Sequence, residues 1–259
     1  PDLTYAAFEG AMARNSKALQ QLSDVLPGGV DNAVKLLTND KFTAKQKLRG
    51  QKLDNVVDLN FYPTKEAANS NLQHRPIGLG MMATHDVLQL ADIQYDSDEA
   101  VEYIDELTEF FSYNAILSSS KLAQERGSYK TFSGSLWDKG ELPIDTYNNL
   151  LDFRKKSGSN PVGGKLDWSE VRESISKYGI RNSNTMAIAP TATIGYINGV
   201  EQSIEPNFSV LFVYENKSGN FYITNEQFVD DMKKEGLWSP RFAEAVKEAD
   251  GDVTLLDIP

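Results

Sequence analysis

The sequence predicts an α/β fold rich in helix, with few strands, most of them buried and roofed by helices on both faces. Three patterns predict it. Residues 98–126 carry apolar side chains at helical spacing over a longer stretch than anywhere else in the chain. Residues 185–189 form a short apolar run of the kind a strand shows when it is covered on both sides. Residues 208–214 and 219–224, separated by Glu215-Asn-Lys-Ser218, read as a β-hairpin.

The elements follow in order. Residues 3–26 place Leu3, Ala7, Met12, Leu19, Leu22 and Leu26 at roughly helical spacing until Pro27-Gly-Gly29 stops them, and 31–37 form a second short helix. A longer helix follows Lys41-Phe-Thr43, with Leu48, Leu53, Val56, Val57 and Phe61 as its buried face and Pro63 as its end. The polar run Asn69-Ser-Asn-Leu-Gln-His-Arg-Pro76 is expected as loop or turn, because proline restricts its predecessor. Ile77-Gly-Leu-Gly80 then opens a helix through Leu90, its glycines allowing close backbone approach.

Tyr95-Asp-Ser-Asp-Glu99 supplies cap residues for the helix over 98–126, whose stripe is Val101, Ile104, Leu107, Phe110, Phe111, Ala115, Leu117 and Leu122 and whose stop is Gly127. Residues 129–143 hold Phe132, Trp137 and two glycines, which suits an ordered surface loop, and 154–165 is the most linker-like segment. Asp167-Trp-Ser-Glu170 begins a helix to about Tyr178, ahead of the buried strand. The tail carries helices at 225–235 and 240–249 and a turn at Gly251-Asp252.

Composition narrows the function classes. With 259 residues, 40% apolar and 24% charged, the chain can bury the core of one large domain or two smaller ones. A net charge of −11 argues against a nucleic-acid partner, since no basic surplus exists to displace counterions. No run of about 18 apolar residues and no basic-then-apolar N-terminal pattern occurs, so no membrane association and a cytoplasmic location are expected. The absence of cysteine rules out disulfides, thiolate metal sites and thiol chemistry within this chain.

The most informative local pattern is the end of the 185–189 run. The apolar stretch stops at Pro190 and is followed by Thr191, Ala192, Thr193 and Ile194, so it delivers two hydroxyls to one place. A short helix starting near Thr193 would add unpaired N–H groups and the positive end of its dipole, a seat for a phosphate. The alternative is a capped strand-to-helix turn with no ligand. Other patterns carry less. His74 and His85 have neither the spacing nor the neighbours of a metal site, and Asp96, Asp98 and Glu99 lack the glycine and terminal glutamate of an EF-hand. Ile77-Gly-Leu-Gly80 lacks the third glycine of a dinucleotide fingerprint, and no Gly-x-Ser-x-Gly elbow occurs. Phe110, Phe111, Tyr113, Phe132 and Trp137 are expected in the core and not on a base-stacking surface.

Several phrases taken in series resemble one family. They are Leu53-Asp-Asn-Val-Val-Asp58, Asn69-Ser-Asn-Leu-Gln-His-Arg-Pro-Ile-Gly-Leu-Gly80, Glu125-Arg-Gly127, Gly134-Ser-Leu-Trp137 and Leu142-Pro-Ile-Asp145. They continue with Gly179-Ile-Arg-Asn-Ser183, Ile188-Ala-Pro-Thr-Ala-Thr-Ile194, Ser203-Ile-Glu-Pro206 and Glu235-Gly-Leu-Trp238. In order and spacing they resemble the large (alpha) subunit of class I ribonucleoside-diphosphate reductases of bacterial or phage type, over about 48–259.

The resemblance implies the second half of a ten-stranded α/β barrel, with 48–259 as a partial barrel domain and 1–47 a helical segment left unassigned. It implies that Pro190, Thr191, Ala192, Thr193 and Ile194 line the diphosphate of a nucleoside diphosphate substrate. Arg75 either supports the barrel or lies near the substrate, and support is the reading taken. The chain departs from the family in its chemistry. The family's reaction runs on a cysteine thiyl radical with two further cysteines as reductant, and none is present here. No catalytic residue and no cofactor are therefore assigned to this chain. The resemblance implies two partners, a cysteine-bearing N-terminal portion of the large subunit and a metal-containing small subunit that generates the radical.

Two functions of different class follow: a split or partial reductase subunit that needs the thiol-bearing portion, or a non-catalytic nucleotide- or partner-binding module derived from the reductase. A degraded reading frame without function is a third possibility.

Overall fold

A computed structural model of the chain describes residues 40–146, 164–216 and 219–256. The helices expected at 3–26 and 31–37, and the expected linker apart from Gly164 and Lys165, lie outside the described residues. Eight helices are described: α1 (Asp40–Leu59), α2 (Lys65–His74), α3 (Thr84–Leu90), α4 (Asp98–Arg126), α5 (Ser169–Tyr178), α6 (Ala192–Asn198), α7 (Glu226–Lys234) and α8 (Pro240–Glu248). Two strands, β1 (Leu211–Asn216) and β2 (Gly219–Thr224), form an antiparallel hairpin in which Leu211 faces Thr224 and Asn216 faces Gly219.

Helix α4 is the central element, and its ends are set by local chemistry. The Ser97 hydroxyl accepts the Ala100 N–H at 3.1 Å, Asp98 and Glu99 complement the positive end of the helix dipole, and Gly127 at φ 81° stops the helix. One face buries Ile116 and Leu117 against Val171 and Ile175 of α5, Trp168 ahead of it, and Ile180, Tyr129 and Leu142. Each fully buried aliphatic side chain there contributes about 1.5–3 kcal/mol. Phe110 and Phe111 are buried as the periodicity predicts, whereas Val101, near the start of the helix, is 47% exposed. Glu109, buried within α4, accepts hydrogen bonds from the N–H groups of Gly164, Lys165 and Leu166 and from Trp168 Nε1, tying the approach to α5 onto the helix.

Four expectations are corrected. The polar run from Asn69 is helical to His74, not loop: Thr64 caps α2 by accepting the Ala67 N–H, and Asn71 donates back to the Ala67 carbonyl at 2.9 Å. The proline restriction acts only on Arg75, which takes a left-handed conformation at φ 48°, ψ 49° and ends the helix. Residues 77–80 are extended, and α3 begins only at Thr84. A Cβ on Gly78 would lie 3.0 Å from Ala187 Cβ, so the glycines admit a neighbouring chain segment, as expected of them, but not at a helix start.

In α1, Val57 is buried but Val56 is 53% exposed, Phe61 beyond the helix is 83% exposed, and Asp54 has no exposed surface. The strand expected at 185–189 is one parallel bridge, Leu79 to Met186. Thr185 is buried there, but Ile188 is 69% exposed. Among the described residues the sheet covered on both faces is absent: β1, β2 and this bridge are the β-structure, and ten barrel strands are not seen.

Asp54 explains the face that α1 presents. Arg75 donates from Nε to Asp54 Oδ1 at 2.7 Å, Arg126 from Nη1 to Oδ2 at 3.0 Å, and Arg181 from Nε to Oδ2 at 3.2 Å. Arg75 also grips both oxygens of Asp58, at 2.8 and 2.7 Å, so its role is structural support, as expected. Burial raises the Asp54 pKa, but the Arg75 hydrogen bond, the charges of Arg181 and Arg75 and the Arg126 bond outweigh it, and the net direction is down.

Removing this carboxylate takes away the partner that three guanidinium groups share and leaves the buried Arg75 with only the exposed Asp58 as counter-charge. Asp54→Ala is expected to destabilise the chain by about 3–5 kcal/mol in urea unfolding followed by far-UV circular dichroism. Because the folded-state pKa lies below the ordinary 3.8, the stabilisation from Asp54 is complete above that value and is lost as pH falls through the folded pKa. The wild-type and variant acid-unfolding curves therefore converge at low pH.

Candidate functional site

Two extended segments meet behind the Pro190 turn. Ile77 N donates to Asn184 O at 2.9 Å, Leu79 N to Thr185 O at 3.0 Å and Ala187 N to Leu79 O at 3.1 Å. This pairing fixes where the chain emerges at Pro190. Thr191 follows with φ 49°, in the left-handed region that non-glycine residues rarely occupy, and α6 begins at Ala192. The sequence expectation of a helix starting near Thr193 is met within one residue.

Thr191 does not cap the helix it precedes. Its Oγ1 accepts the N–H of Ser203 at 2.7 Å, while its carbonyl accepts the N–H of Gly195 at 2.7 Å and closes the first helical turn. The N–H groups of Ala192, Thr193 and Ile194 lie in that first turn, where a helix offers no partner of its own. A hydroxyl that accepts from a backbone N–H still has its own proton to donate. The five expected site residues thus form one turn, with Thr191 half-buried and the other four at the surface.

The turn rests on the loop that follows α6. Gly195 lies so close to that loop that a Cβ would sit 2.9 Å from the Val200 carbonyl. The loop is fastened to the start of α3 and to Tyr95 by four bonds. Ala83 N donates to Glu201 O at 3.0 Å, Glu201 N to Asp86 Oδ2 at 2.7 Å, Asn207 N to His85 Nδ1 at 2.9 Å, and Tyr95 Oη to Ile204 O at 2.9 Å. With its amide nitrogen turned toward Glu201, Asn207 donates to that carboxylate and accepts from Asn225 Nδ2 at 2.5 Å.

Burial raises the Asp86 pKa, the hydrogen bond from Glu201 N opposing it. Burial and the charge of Asp86 push Glu201 up to about 7. Burial lowers His85, so its neutral ring accepts at Nδ1 and carries its proton on Nε2. Sequence reasoning missed Asp86 and Glu201, and it treated His85 as an ordinary surface position. The available signal was Ser203-Ile-Glu-Pro206, a rigid phrase with no local reason to be near Thr191. Beside the turn, a cleft of about 800 Å³ is lined mainly by apolar side chains, among them Leu79, Ile104, Phe111, Met186, Ile188 and Ile204. Among the described residues no three His, Asp or Glu side chains are placed to hold a metal ion, and no helix is long and apolar enough to cross a membrane.

Comparison with known proteins bears on most of the chain. The family model for the ribonucleotide reductase barrel domain matches residues 22–258. A ribonucleoside-diphosphate reductase subunit alpha from Chlamydia pneumoniae is 48% identical over 240 residues, covering 89% of this chain and 22% of that protein. The subunit alpha of Helicobacter pylori is 41% identical over 189 residues, covering 73% of this chain and 24% of that protein. A ribonucleoside-diphosphate reductase large subunit from Caenorhabditis elegans is 34% identical over 217 residues, 84% of this chain and 26% of its own length. The chain thus spans about a quarter of the length of these relatives.

The geometry makes a contrast between two glycines testable. A Cβ on Gly80 would sit 2.5 Å from the Ala187 carbonyl oxygen, a backbone atom that cannot turn aside, whereas one on Gly50 meets nothing within 4 Å. Gly80→Ala is expected to separate 77–80 from 184–187 and to raise amide hydrogen exchange at Leu79 and Ala187 by about tenfold or more. Gly50→Ala, inside α1, is expected to stabilise by up to about 1 kcal/mol in urea unfolding.

Proposed function

The chain belongs to the ribonucleotide reductase barrel-domain family, and from that premise we propose that it supplies the substrate-diphosphate turn of a ribonucleoside-diphosphate reductase large subunit. Pro190, Thr191, Ala192, Thr193 and Ile194 line the diphosphate, and the reaction served is reduction of ribonucleotides to deoxyribonucleotides. The observation that carries this reading is the Thr191–Ser203 bond. An ordinary cap would use the threonine oxygen to satisfy the helix's own N–H groups. Here that oxygen is committed to Ser203, so the N–H groups of the first turn are left for an anion from outside, with the positive end of the helix dipole behind them. Bonds from such donors to a charged phosphate are stronger than neutral ones.

The chain holds substrate and does not itself carry the chemistry. Thiyl-radical reduction needs cysteines, and its 259 residues contain none. In this reading a cysteine-bearing portion of the large subunit supplies them, the two together complete a ten-stranded barrel, and a metal-containing small subunit supplies the radical. The apolar cleft beside Met186 and the exposed Ile188, Ile197 and Phe208 support a face that another part of the barrel covers. The same lack of cysteine favours a second reading, a nucleotide-binding module derived from the reductase and without catalysis.

Calorimetry with a nucleoside diphosphate tests the turn. The chain should bind, and Thr193→Val should weaken binding by about tenfold, the loss of one charge-assisted hydrogen bond. Absence of heat at millimolar nucleotide would count against the turn as a diphosphate seat. Co-expression with a cysteine-bearing N-terminal portion, assayed for deoxyribonucleotide formation with a radical-generating subunit, separates the two readings. Turnover supports the partial subunit, and a stable complex that binds nucleotide without turnover supports the module.

A further inference from the structure

The loop under the turn is held by a carboxyl pair that no step of the function above uses. Asp86 lies in the first turn of α3 and accepts the Glu201 N–H at 2.7 Å, and the Glu201 carbonyl accepts the Ala83 N–H at 3.0 Å, so residue 201 is gripped on both sides of its backbone. Two residues on, Ser203 at φ 49° turns its N–H to Thr191 Oγ1 at 2.7 Å. A continuous path of hydrogen bonds and three residues of backbone therefore runs from Asp86 to the hydroxyl of the proposed diphosphate turn.

The groups facing Glu201 are few. From α3 come Asp86 and the neutral His85, which holds Asn207 N. From the segment ahead of α4 comes Tyr95, bonded to Ile204 O, and from the loop and the start of α7 come the amides of Asn207 and Asn225. Glu205, on the loop itself, is exposed. Among the described residues no lysine or arginine pairs with Asp86 or Glu201.

We propose that Asp86 and Glu201 are positioning residues for the diphosphate turn, a proton on Glu201 keeping the loop of residues 199–207 seated on α3 and its loss loosening the turn and disfavouring an anionic ligand. This rests on the diphosphate reading of Thr191 to Ile194. The physical basis is like-charge repulsion without a neutralising cation. Glu201 is partly buried, no cation pairs with it, and the negative charge of Asp86, whose carboxylate holds the Glu201 N–H, opposes its ionisation, so Glu201 keeps a proton into the neutral range. Burial and the charge of Asp86 hold Glu201 up at about 7. When that proton leaves, the second negative charge opposes the Asp86 carboxylate that grips Glu201 N, and it adds a negative charge on the loop beneath the phosphate seat. The sign for stability follows. The folded-state pKa lies above the ordinary 4.5, so the folded chain binds more protons between 4.5 and about 7 and loses stability as pH rises across that window.

Glu201→Gln, an isostere of the protonated acid, separates this role from a merely structural one. Binding of ADP to the full chain is measured by calorimetry at about pH 6 and about pH 8, where one-proton linkage gives the wild type an affinity loss about tenfold larger than that of Glu201→Gln. The terminal phosphate titrates near pH ~6 in both cases, so comparing the two proteins cancels it. Amide exchange at Glu201 and Ser203 gives a readout that needs no ligand. Protection factors at both amides should fall between about pH 6 and about pH 8 in the wild type and hold steady in Glu201→Gln. Equal pH profiles for the two proteins, in binding or in exchange, would overturn the proposal. If ADP fails to bind at any pH while protection still follows Glu201, the diphosphate reading falls and the proton-governed loop stands.

Discussion

Asp54 has no exposed surface, and three arginines from separate parts of the chain converge on it. Arg75 arrives from the end of α2, Arg126 from the last turn of α4, and Arg181 from just beyond α5, so one carboxylate sets where three helices stop relative to one another. Burying Asp54 and Arg75 is expensive, and it is tolerable here because their donors and acceptors are engaged and the more exposed Arg126 and Arg181 add charge from the rim. Arg75 also bonds the Asp54 carbonyl and both oxygens of Asp58, Arg181 bonds the carbonyls of Arg126 and Gly127, and Asn182 donates to Asp54 and to the Arg75 carbonyl. Ser119 closes the set from the middle of α4 by bonding both the side chain and the backbone of Asn182.

From this centre the functional region is laid out. Arg75 and Asn182 are directly followed, after Pro76 and Ser183, by the two extended segments that pair through Ile77, Leu79 and Ala187. Their register is inherited from the ionic centre, since the Asn182–Arg75 bond lies two residues ahead of the Ile77–Asn184 bond. A shift of one residue in a pleated segment would exchange its buried and exposed faces. Thr185 would then leave the interior, and Pro190 would start the turn from the wrong side.

What the sequence made readable follows the range of the interaction involved. Helix α4 declares itself because its 29 residues carry both a stripe and local stop signals, Ser97 and Gly127. Helices α7 and α8 declare themselves through the caps Asn225 and Ser239, each accepting an N–H three residues on. The turn was legible for the same reason, as Pro190, the threonines and the start of α6 are neighbours in sequence. Residues 69–74 were misread because a rule that binds only the residue before proline was applied to the whole polar run. Asp54 in α1 carries no sign of its burial in the neighbouring sequence, because its partners lie 21, 72 and 127 positions away. The Asp86 contact to Glu201 spans 115 positions and left no mark in either neighbourhood. The single bridge at Met186 shows the opposite error. An apolar run predicts that something covers it, but not that the cover lies within the same described residues.

The two acidic centres, one buried and one partly buried, differ in a way that matches their positions. Asp54 is oversupplied with cations, which hold its pKa below the ordinary value and keep it charged at neutral pH, as suits a centre that sets register. Asp86 and Glu201 have no cation paired with them among the described residues, and they hold the loop whose Ser203 N–H reaches Thr191. A lysine or arginine at this second centre would have neutralised the pair, but it would also have offered the phosphate a competing partner beside the turn and fixed the loop irrespective of pH. In the proposed reading, a chain with a net charge of −11 that binds an anion through N–H groups must keep negative charge away from those groups. On that proposal, a proton on Glu201 removes a negative charge from the loop that bonds Thr191.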